Sequence, residues 1–190
     1  ITFLSEELKE TGQSMSISAI ATAMAIEHNY KILLISTDFL DKTLENCFWN
    51  SNNKRFSLFT KANVMDVSNG LEGLVRTFAS NRASKDVIRS YTKPVLNERL
   101  DILQAPKTVN YKDYCNIANY YSQIAEVANS YYDIVLIDLS KKLPKEAKEK
   151  VLVISDLIVV NLLQNMNSIS NFMKLKTQNE FFNKKNVLIM

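Results

Sequence analysis

Glycine is the residue that this sequence lacks most clearly. Only three of its 190 residues are glycine, Gly12, Gly70 and Gly73, whereas an average soluble domain of this length would carry about a dozen. A G-x-G-x-x-G turn or a complete glycine-rich phosphate loop needs several glycines close together. The scarcity therefore excludes an intact loop of either kind, while a hydrophobic content of 46% still supports a folded core.

Residues that bind metals or build cysteine frameworks are equally scarce. Cys47 and Cys115 lie far apart and belong to no C-x-x-C pair, which argues against a disulfide framework or a zinc site. His28 is the single histidine, so a Ser-His-Asp triad or a His/Cys metal site would have to use it. We interpret His28 as a half-exposed structural residue and predict no such site.

Neither charge nor hydrophobic runs indicate a nucleic-acid or membrane protein. The net charge is +3, from 23 basic and 20 acidic residues. This excess is too small to indicate a surface that binds nucleic acid or a membrane. No apolar run approaches the ~20 residues needed to cross a bilayer. No signal peptide is visible, although the chain begins at Ile1 rather than at methionine. We therefore expect a reduced, cytoplasmic environment.

What the sequence does contain is a repeated order of short apolar runs and stretches with helical periodicity. Strands are predicted over residues 1–4, 31–35, 100–103, 132–138, 157–160 and 187–190. Helices are predicted over residues 14–26, 70–80, 84–91, 110–128 and 168–182. Uninterrupted apolar strands are typical of a parallel sheet covered on both faces. We predict a single α/β domain over residues 1–190, with a mainly parallel sheet and helices on both faces.

Two acidic residues follow buried strands of the predicted sheet. Asp38 comes after the strand over residues 31–35, and Asp138 ends the strand over residues 132–138. Right-handed crossovers bring the carboxyl ends of parallel strands to one edge, where α/β folds place their sites. Both carboxylates are therefore candidates to hold the water shell of a metal or to position an attacking water.

Two other features leave alternatives open. Six tyrosines in and around the helix predicted over residues 110–128 could form a base-stacking surface, but two in the core and four at its rim would explain them too. The lysine-rich residues 141–150 could dock a membrane or nucleic acid. Their glutamates alternate with the lysines at helical spacing, which favours a solvent-exposed helix with internal ion pairs. Pro144 suits the first turn of that helix.

Four segments together resemble the ParA/MinD-type ATPases, which carry a deviant Walker A loop. Residues 5–16 (SEELKETGQSMS) occupy the place of that loop, and an alanine-rich helix follows it. Residues 31–38 resemble the second strand with its D-x-D ending, here Ser36-Thr37-Asp38. Residues 132–138 resemble the Walker B strand, and residues 155–160 resemble the strand after it. The resemblance covers most of the chain in family order and implies a P-loop NTPase-like fold.

The resemblance also implies a site for ATP and Mg²⁺. The family loop reads approximately K-G-G-x-G-K-[ST], and Gly12, Gln13 and Ser14 take the places of its last glycine, its P-loop lysine and its Mg²⁺-binding hydroxyl. Asp38 matches the second acid of D-x-D, and Asp138 matches the Walker B acid. The implied nucleotide-binding residues are Lys9, Gly12, Gln13, Ser14, Met15, Asp38 and Asp138, and the implied metal ligands are Ser14 and Asp138.

The loop departs from the family pattern where charge matters most. Gln13 stands in place of the P-loop lysine, and Glu7 and Glu10 lie where phosphate would rest. A carboxylate close to a triphosphate repels it by several kcal/mol at low dielectric. The lost lysine also removes the main charge-assisted partner of the β- and γ-phosphates. We therefore predict a loop that no longer supports ATP hydrolysis.

The roles of three charged residues stay open, with two interpretations for each. Lys9 is one place from Leu8, where the signature lysine of the family falls, so a shifted loop could bring it to the phosphate; otherwise it is a solvated loop lysine. Lys9 and Asp38 are the candidates for catalysis. Asp38 and Asp138 either keep a Mg²⁺ or water contact or act as strand-end acids that stabilise the fold. The first acid of D-x-D is replaced by Ser36.

The eroded loop favours a pseudo-ATPase of the TadZ/CpaE-like kind, which dimerises and binds a protein partner to position a pilus or secretion assembly. The resemblance implies a cytoplasmic protein that partners recruit to the membrane or cell pole. Two alternatives remain, an active ATPase that uses Lys9 and a DNA-associated regulator that uses residues 141–150. The adenine-binding region usually follows the last strand in this family. We therefore expect the chain to be truncated at its C-terminal end, with part of the nucleotide site outside it.

Overall fold

The computed structural model describes residues 1–5, 11–39, 41–49, 70–80, 87–107, 110–178 and 181–190. Its strands are β1 (Thr2–Leu4), β2 (Ile32–Ser36), β3 (Lys93–Leu96), β4 (Leu100–Leu103), β5 (Ile134–Leu139), β6 (Leu157–Val160) and β7 (Asn186–Ile189). Its helices are α1 (Gln13–Glu27), α2 (Thr43–Asn46), α3 (Gly70–Ala79), α4 (Tyr111–Ala118), α5 (Tyr121–Ala128), α6 (Lys145–Ile154), α7 (Met166–Gln178) and α8 (Phe181–Lys184), with a 3-10 turn over Ile88–Tyr91.

The strands form one seven-stranded sheet in the order β3-β4-β2-β5-β1-β6-β7. Every neighbouring pair is parallel except β3 with β4, which confirms the predicted mainly parallel sheet. β5 lies at the centre between β1 and β2. The pairing aligns Asp138 of β5 with Phe3 on one side and with Ser36 on the other. The carboxyl ends of these three strands therefore meet at one edge, as expected from the buried apolar runs.

Helices cover both faces of the sheet, as predicted. Side chains of a strand alternate between faces, and those of β2 show it, because Leu33 and Ile35 belong to one hydrophobic cluster and Ile32 and Leu34 to the other. The first cluster packs against α3 to α8, and the second packs against α1 and α2. β2 is buried along its whole length, which explains why its sequence shows no polar alternation.

The structure differs from the sequence prediction in several elements. The described part of the helix predicted over residues 84–91 is a 3-10 turn over Ile88–Tyr91, and α2 was not predicted. The helix predicted over residues 110–128 is divided into α4 and α5, because the Tyr120 amide donates to the Ile117 carbonyl in a tighter i to i−3 turn. β3 was not predicted; it contains Pro94, and it is the antiparallel strand at one edge of the sheet, where proline is tolerated. The side chain of Asn110 caps the amino end of α4, since its Oδ1 accepts from the Lys112 amide at 2.9 Å.

The lysine-rich segment forms the helix expected of it. α6 begins after Pro144, and Lys145 Nζ lies 3.9 Å from Glu149 Oε1. This is the ion pair at helical spacing that favoured a solvent-exposed helix. The sequence also favours a turn over residues 50–53 and an N-cap at Ser84, and both fall outside the described residues.

Candidate functional site

The loop that precedes α1 turns at Gly12. Its φ of 74° lies in the left-handed region, and a Cβ added there would meet no atom of the described residues within 4 Å. The carbonyl of Gly12 accepts the Ser16 amide at 2.8 Å and so opens the first turn of the helix. Glycine is thus required here by backbone conformation rather than by a close neighbour. Lys9, Glu7 and Glu10 lie outside the described residues.

Gln13 turns its side chain inward onto the ends of two strands. Its amide nitrogen lies 2.6 Å from Asp138 Oδ1, 3.1 Å from the Phe3 carbonyl oxygen and 3.1 Å from the Leu139 carbonyl oxygen. An amide nitrogen has two hydrogens, so three acceptors engage all of its donor capacity. The residue at the family's lysine position therefore ties α1 to β1 and β5.

Asp138 is the buried centre of this edge, with 7% of its surface exposed. In addition to the hydrogen bond from Gln13, its carboxylate accepts one from the Ser14 hydroxyl, whose Oγ lies 2.8 Å from Asp138 Oδ2. Burial raises the pKa of Asp138, the hydrogen bonds from Ser14 and Gln13 oppose that rise, and nearby Asp38 and Glu45 add to it. The two predicted metal ligands are thus in direct contact with each other.

Asp38 lies beside Asp138 and is held by the loops around it. Its Oδ1 accepts from the Phe39 amide at 2.8 Å and from Ser140 Oγ at 3.1 Å, and its Oδ2 is 3.4 Å from Thr43 Oγ1. Burial raises the pKa of Asp38, while the Phe39 amide and the nearby Lys142 lower it. Asp38 is therefore fixed in place, and part of its surface remains open.

The backbone between these acids is also cross-linked. Thr37 Oγ1 donates to the Asp138 carbonyl at 2.9 Å and accepts the Ser140 amide at 2.8 Å. The Tyr114 hydroxyl donates to the Thr37 carbonyl at 2.7 Å. Ser36, at the first position of D-x-D, is buried, and its hydroxyl has no hydrogen-bond partner among the described residues. The strand ends thus hold one another without a ligand.

Several residues of this edge escaped the sequence analysis. Lys142 donates to Asp41 Oδ2 and to the Phe39 carbonyl, the latter at 3.3 Å. The hydrogen bond with Asp41 raises the pKa of Lys142. Thr43 and Ser140 contact Asp38, as described above. Only one signal was available for Lys142, its place in the charge run, and that run was interpreted as solvent-exposed.

These groups surround a cavity of about 350 Å³, the carboxyl-edge cavity. Of the predicted site residues, the cavity wall includes Gly12, Gln13, Ser14, Met15, Asp38 and Asp138. Among the described residues, its charged wall residues are three carboxylates and two lysines, namely Asp38, Asp41, Asp138, Lys141 and Lys142. The structure therefore brings together every predicted site residue that it describes.

The wall suits a divalent cation better than a triphosphate. The Ser14 hydroxyl and the Asp138 carboxylate are oxygen donors of the kind that Mg²⁺ prefers. Mg²⁺ usually relies on one or two carboxylates plus substrate phosphates. The described residues contain no group of three or more His, Cys, Asp or Glu side chains able to hold a metal. A triphosphate fits this wall poorly, because the described carboxylates outnumber the lysines and Gln13 offers only an uncharged amide.

The sequence matches no protein-family model and no curated protein. Solved structures do match it. A ParA family ATPase from Chlorobium tepidum TLS aligns with a TM-score of 0.68 at 18% identity, over 100% of this chain and 72% of that one. The septum site-determining protein MinD from Pyrococcus horikoshii OT3, complexed with Mg-ADP, aligns with a TM-score of 0.61 at 14% identity, over 99% and 66%.

A third match is the MinC:MinD cell division protein complex from Aquifex aeolicus, with a TM-score of 0.60 at 18% identity, over 99% of this chain and 66% of the matched one. This chain thus spans about two thirds of the MinD-related chains. Among the described residues, no helix is long and apolar enough to cross a membrane. The sheet order and these alignments show that the chain has the P-loop-type α/β fold of the ParA and MinD ATPases.

Proposed function

We propose that this chain is a degenerate ParA/MinD-like protein that does not hydrolyse ATP and acts as a positioning or assembly scaffold. In this proposal it dimerises and binds a protein partner, as in the TadZ/CpaE-like group. The observation that carries the proposal is the side chain of Gln13, which stands at the family's lysine position, is uncharged and donates to Asp138 at 2.6 Å. The shared fold supports the family assignment.

The contacts of Gln13 explain why phosphate binding would be weak. A lysine at this position offers a full positive charge to the β- and γ-phosphates, whereas the Gln13 amide is neutral. To reach a phosphate, Gln13 would have to leave the buried Asp138 carboxylate. A hydrogen bond to a charged group contributes roughly 1.5–3 kcal/mol. That loss opposes the gain of one neutral donor to the nucleotide.

The metal half of the site supports residual binding of Mg²⁺ with a nucleotide. Ser14 and Asp138 would hold the cation, which supplies charge neutralisation to bound phosphates. A MinD protein of the same fold is complexed with Mg-ADP. Asp38, fixed by Phe39, Ser140 and Thr43, is the remaining candidate for positioning a water. We propose that this site binds a nucleotide together with Mg²⁺ but does not hydrolyse it.

A scaffold needs a surface whose shape does not depend on nucleotide. The hydrogen bonds from Gln13, Thr37 and Ser140 join β1, β2, β5 and α1 in the protein alone. A protein of this fold forms the MinC:MinD cell division complex. By analogy, we propose a homodimer that binds a protein partner, and a cytoplasmic protein that partners recruit to the membrane or cell pole.

Calorimetric titration of ATP, with and without Mg²⁺, tests the proposal. The wild-type chain and the Gln13→Lys variant are compared, with Lys145→Gln as a control for general charge effects. We expect no turnover by the wild type and at least tenfold tighter Mg-ATP binding by Gln13→Lys, equivalent to about 1.4 kcal/mol. Tight Mg-ATP binding by the wild type, with turnover abolished in Asp38→Ala, would show that the proposal is wrong.

An active ATPase that uses Lys9 is the second candidate. The contact between Ser14 and Asp138 supports it, because the two residues proposed to hold Mg²⁺ lie side by side. This candidate predicts that Lys9→Ala abolishes nucleotide affinity while Lys42→Ala, at an exposed lysine, leaves it unchanged. Equal affinities in the two variants would eliminate it and leave the scaffold proposal intact.

A further inference from the structure

A second cavity, of about 210 Å³, opens at the opposite edge of the sheet. We call it the amino-edge cavity, because its wall includes residues just before β2, β4 and β5. Three cations line it, Lys31, Arg89 and Arg99, together with two carboxylates, Glu98 and Asp101. The balance of charge is thus the reverse of that in the carboxyl-edge cavity.

The three cations are not neutralised by neighbouring acids. Among the described residues, none of them forms an ion pair within 4.0 Å. Arg99 Nη1 donates to the Ala25 carbonyl at 3.2 Å, and Lys31 Nζ lies 5.2 Å from the centroid of the Tyr131 ring. The Arg89 side chain is exposed and makes no hydrogen bond within the described part of the chain. Most of their donor capacity therefore remains available.

One of the two carboxylates, that of Asp101, has a fixed hydrogen-bond partner. Asp101 Oδ2 accepts from the Tyr132 hydroxyl at 2.7 Å, and the Tyr132 side chain is buried. Glu98 is exposed in the turn between β3 and β4, where its φ of 60° is left-handed. The Tyr132 hydroxyl thus engages one oxygen of Asp101, and three cations against two carboxylates leave the described wall with a net charge of +1.

We propose that the amino-edge cavity binds a small oxyanion with two or more negative charges, such as a phosphoryl group or a dicarboxylate. Two guanidinium groups can each offer paired N–H donors to such a group, and Lys31 adds a point charge. The volume lies below the ~300–1,000 Å³ of drug-sized ligand sites. This size favours a compact anion. The inference is independent of the proposed function, since no residue is shared between the two cavities.

The test is an NMR titration of the whole chain with inorganic phosphate, at constant ionic strength balanced with sodium chloride. We expect saturable shifts of the backbone amides of Lys31, Arg89 and Arg99, with a Kd on the order of 1 mM. A parallel titration with succinate distinguishes the phosphoryl from the dicarboxylate form of the ligand. Saturation by either anion supports the site.

Matched variants separate this site from general attraction to a basic surface. Arg89→Gln is expected to weaken phosphate binding by about tenfold, and Lys31→Gln serves as a second variant. Lys145→Gln, at an exposed lysine on α6, is expected to leave binding unchanged. Shifts that never saturate, or that spread equally over lysines of α6, would overturn the proposal. So would equal binding by Arg89→Gln and Lys145→Gln.

Discussion

The two cavities occupy opposite edges of one sheet and carry opposite balances of charge. The carboxyl-edge cavity, where this fold places its ligand sites, has three carboxylates against two lysines. The amino-edge cavity has three cations against two carboxylates. A triphosphate would thus meet net negative charge at the expected edge. The topology decides where a cavity forms, whereas individual side chains decide which ligand it accepts.

Each edge also contains one residue with a left-handed backbone conformation, but the two residues are of different types. Gly12 has a φ of 74° before α1, and Glu98 has a φ of 60° between β3 and β4. Glycine adopts this conformation without a steric penalty, whereas a residue with a Cβ is destabilised there by about 1–2 kcal/mol. The carboxyl edge therefore has an unstrained turn, and the amino edge has a strained one.

The largest expected effect comes from Gln13→Ala at the carboxyl edge. The substitution leaves the buried Asp138 carboxylate without its shortest hydrogen bond, so we expect the free energy of unfolding to fall by roughly 2–3 kcal/mol. Urea denaturation measures this loss. Met15→Ala, at a 72% exposed position two residues later, should change stability by less than about 0.5 kcal/mol. Similar losses in both variants would mean that Gln13 does not hold the edge together.

Gly12→Ala should have the next largest effect, a loss of about 1–2 kcal/mol. Since an added Cβ would touch no atom of the described residues within 4 Å, the whole loss should come from backbone strain. Gly12→Asn should therefore lose less, because asparagine tolerates the left-handed region. Thermal unfolding of the two variants checks the order. An equal loss in both would point to a contact of the side chain instead.

Glu98→Gly should give a smaller effect of opposite sign at the amino edge. Relief of the left-handed strain exceeds the entropy cost of glycine, for a net gain of about 0.5 kcal/mol. Asn97→Gly, at the preceding turn residue, should instead lose stability by roughly 0.5–1 kcal/mol. Chemical denaturation of the pair distinguishes relief of strain from a general tolerance of the turn. A loss in Glu98→Gly would show that the turn is not strained.

The last prediction concerns how steeply the free energy of unfolding changes with pH. Burial raises the pKa of Asp138 above its ordinary value of 3.8, so the folded state holds this proton more tightly than the unfolded state. Its contribution to stability therefore increases as the pH falls toward 3.8 and is lost as the pH rises through the folded pKa. Asp138→Asn should flatten the fall in stability that accompanies a rise in pH above 3.8.

Urea denaturation at several pH values measures this slope. Glu126→Gln, at an exposed position of α5, is the matched control and should keep the wild-type slope. Asp38 also has a pKa raised by burial, so Asp138→Asn is expected to reduce the slope without removing it. An unchanged slope in Asp138→Asn would show that Asp138 titrates as it does in the unfolded chain.

The fold was predictable because its central strands are buried on both faces. β2 and β5 appear in the sequence as uninterrupted apolar runs, and each is followed or ended by an aspartate. From those runs alone, the common edge of Asp38 and Asp138 could be inferred. β3 was not predictable, because Lys93 and Pro94 are exposed and give it no apolar pattern.

The contacts of the candidate site were much harder to infer than its location. Gln13 and Asp138 are separated by 125 positions in sequence, and Lys142 and Asp41 by 101. No local pattern encodes such pairs, since they form only when the strands are in register. Tyr114 illustrates the same limit: its helical spacing predicted core packing, but nothing in the sequence indicated its hydrogen bond to Thr37.

The hydrogen bond between Gln13 and Asp138 has a consequence for how long a complex of this protein would last. In a protein that hydrolyses its nucleotide, the chemical step can end an interaction and so limit how long a complex lasts. A loop held by its own side chain, as proposed for this chain, contains no such step. The lifetime of a complex would then depend on its dissociation rate and its occupancy on protein concentration. Regulation would therefore act through the amounts of the protein and its partner, independently of the energy state of the cell.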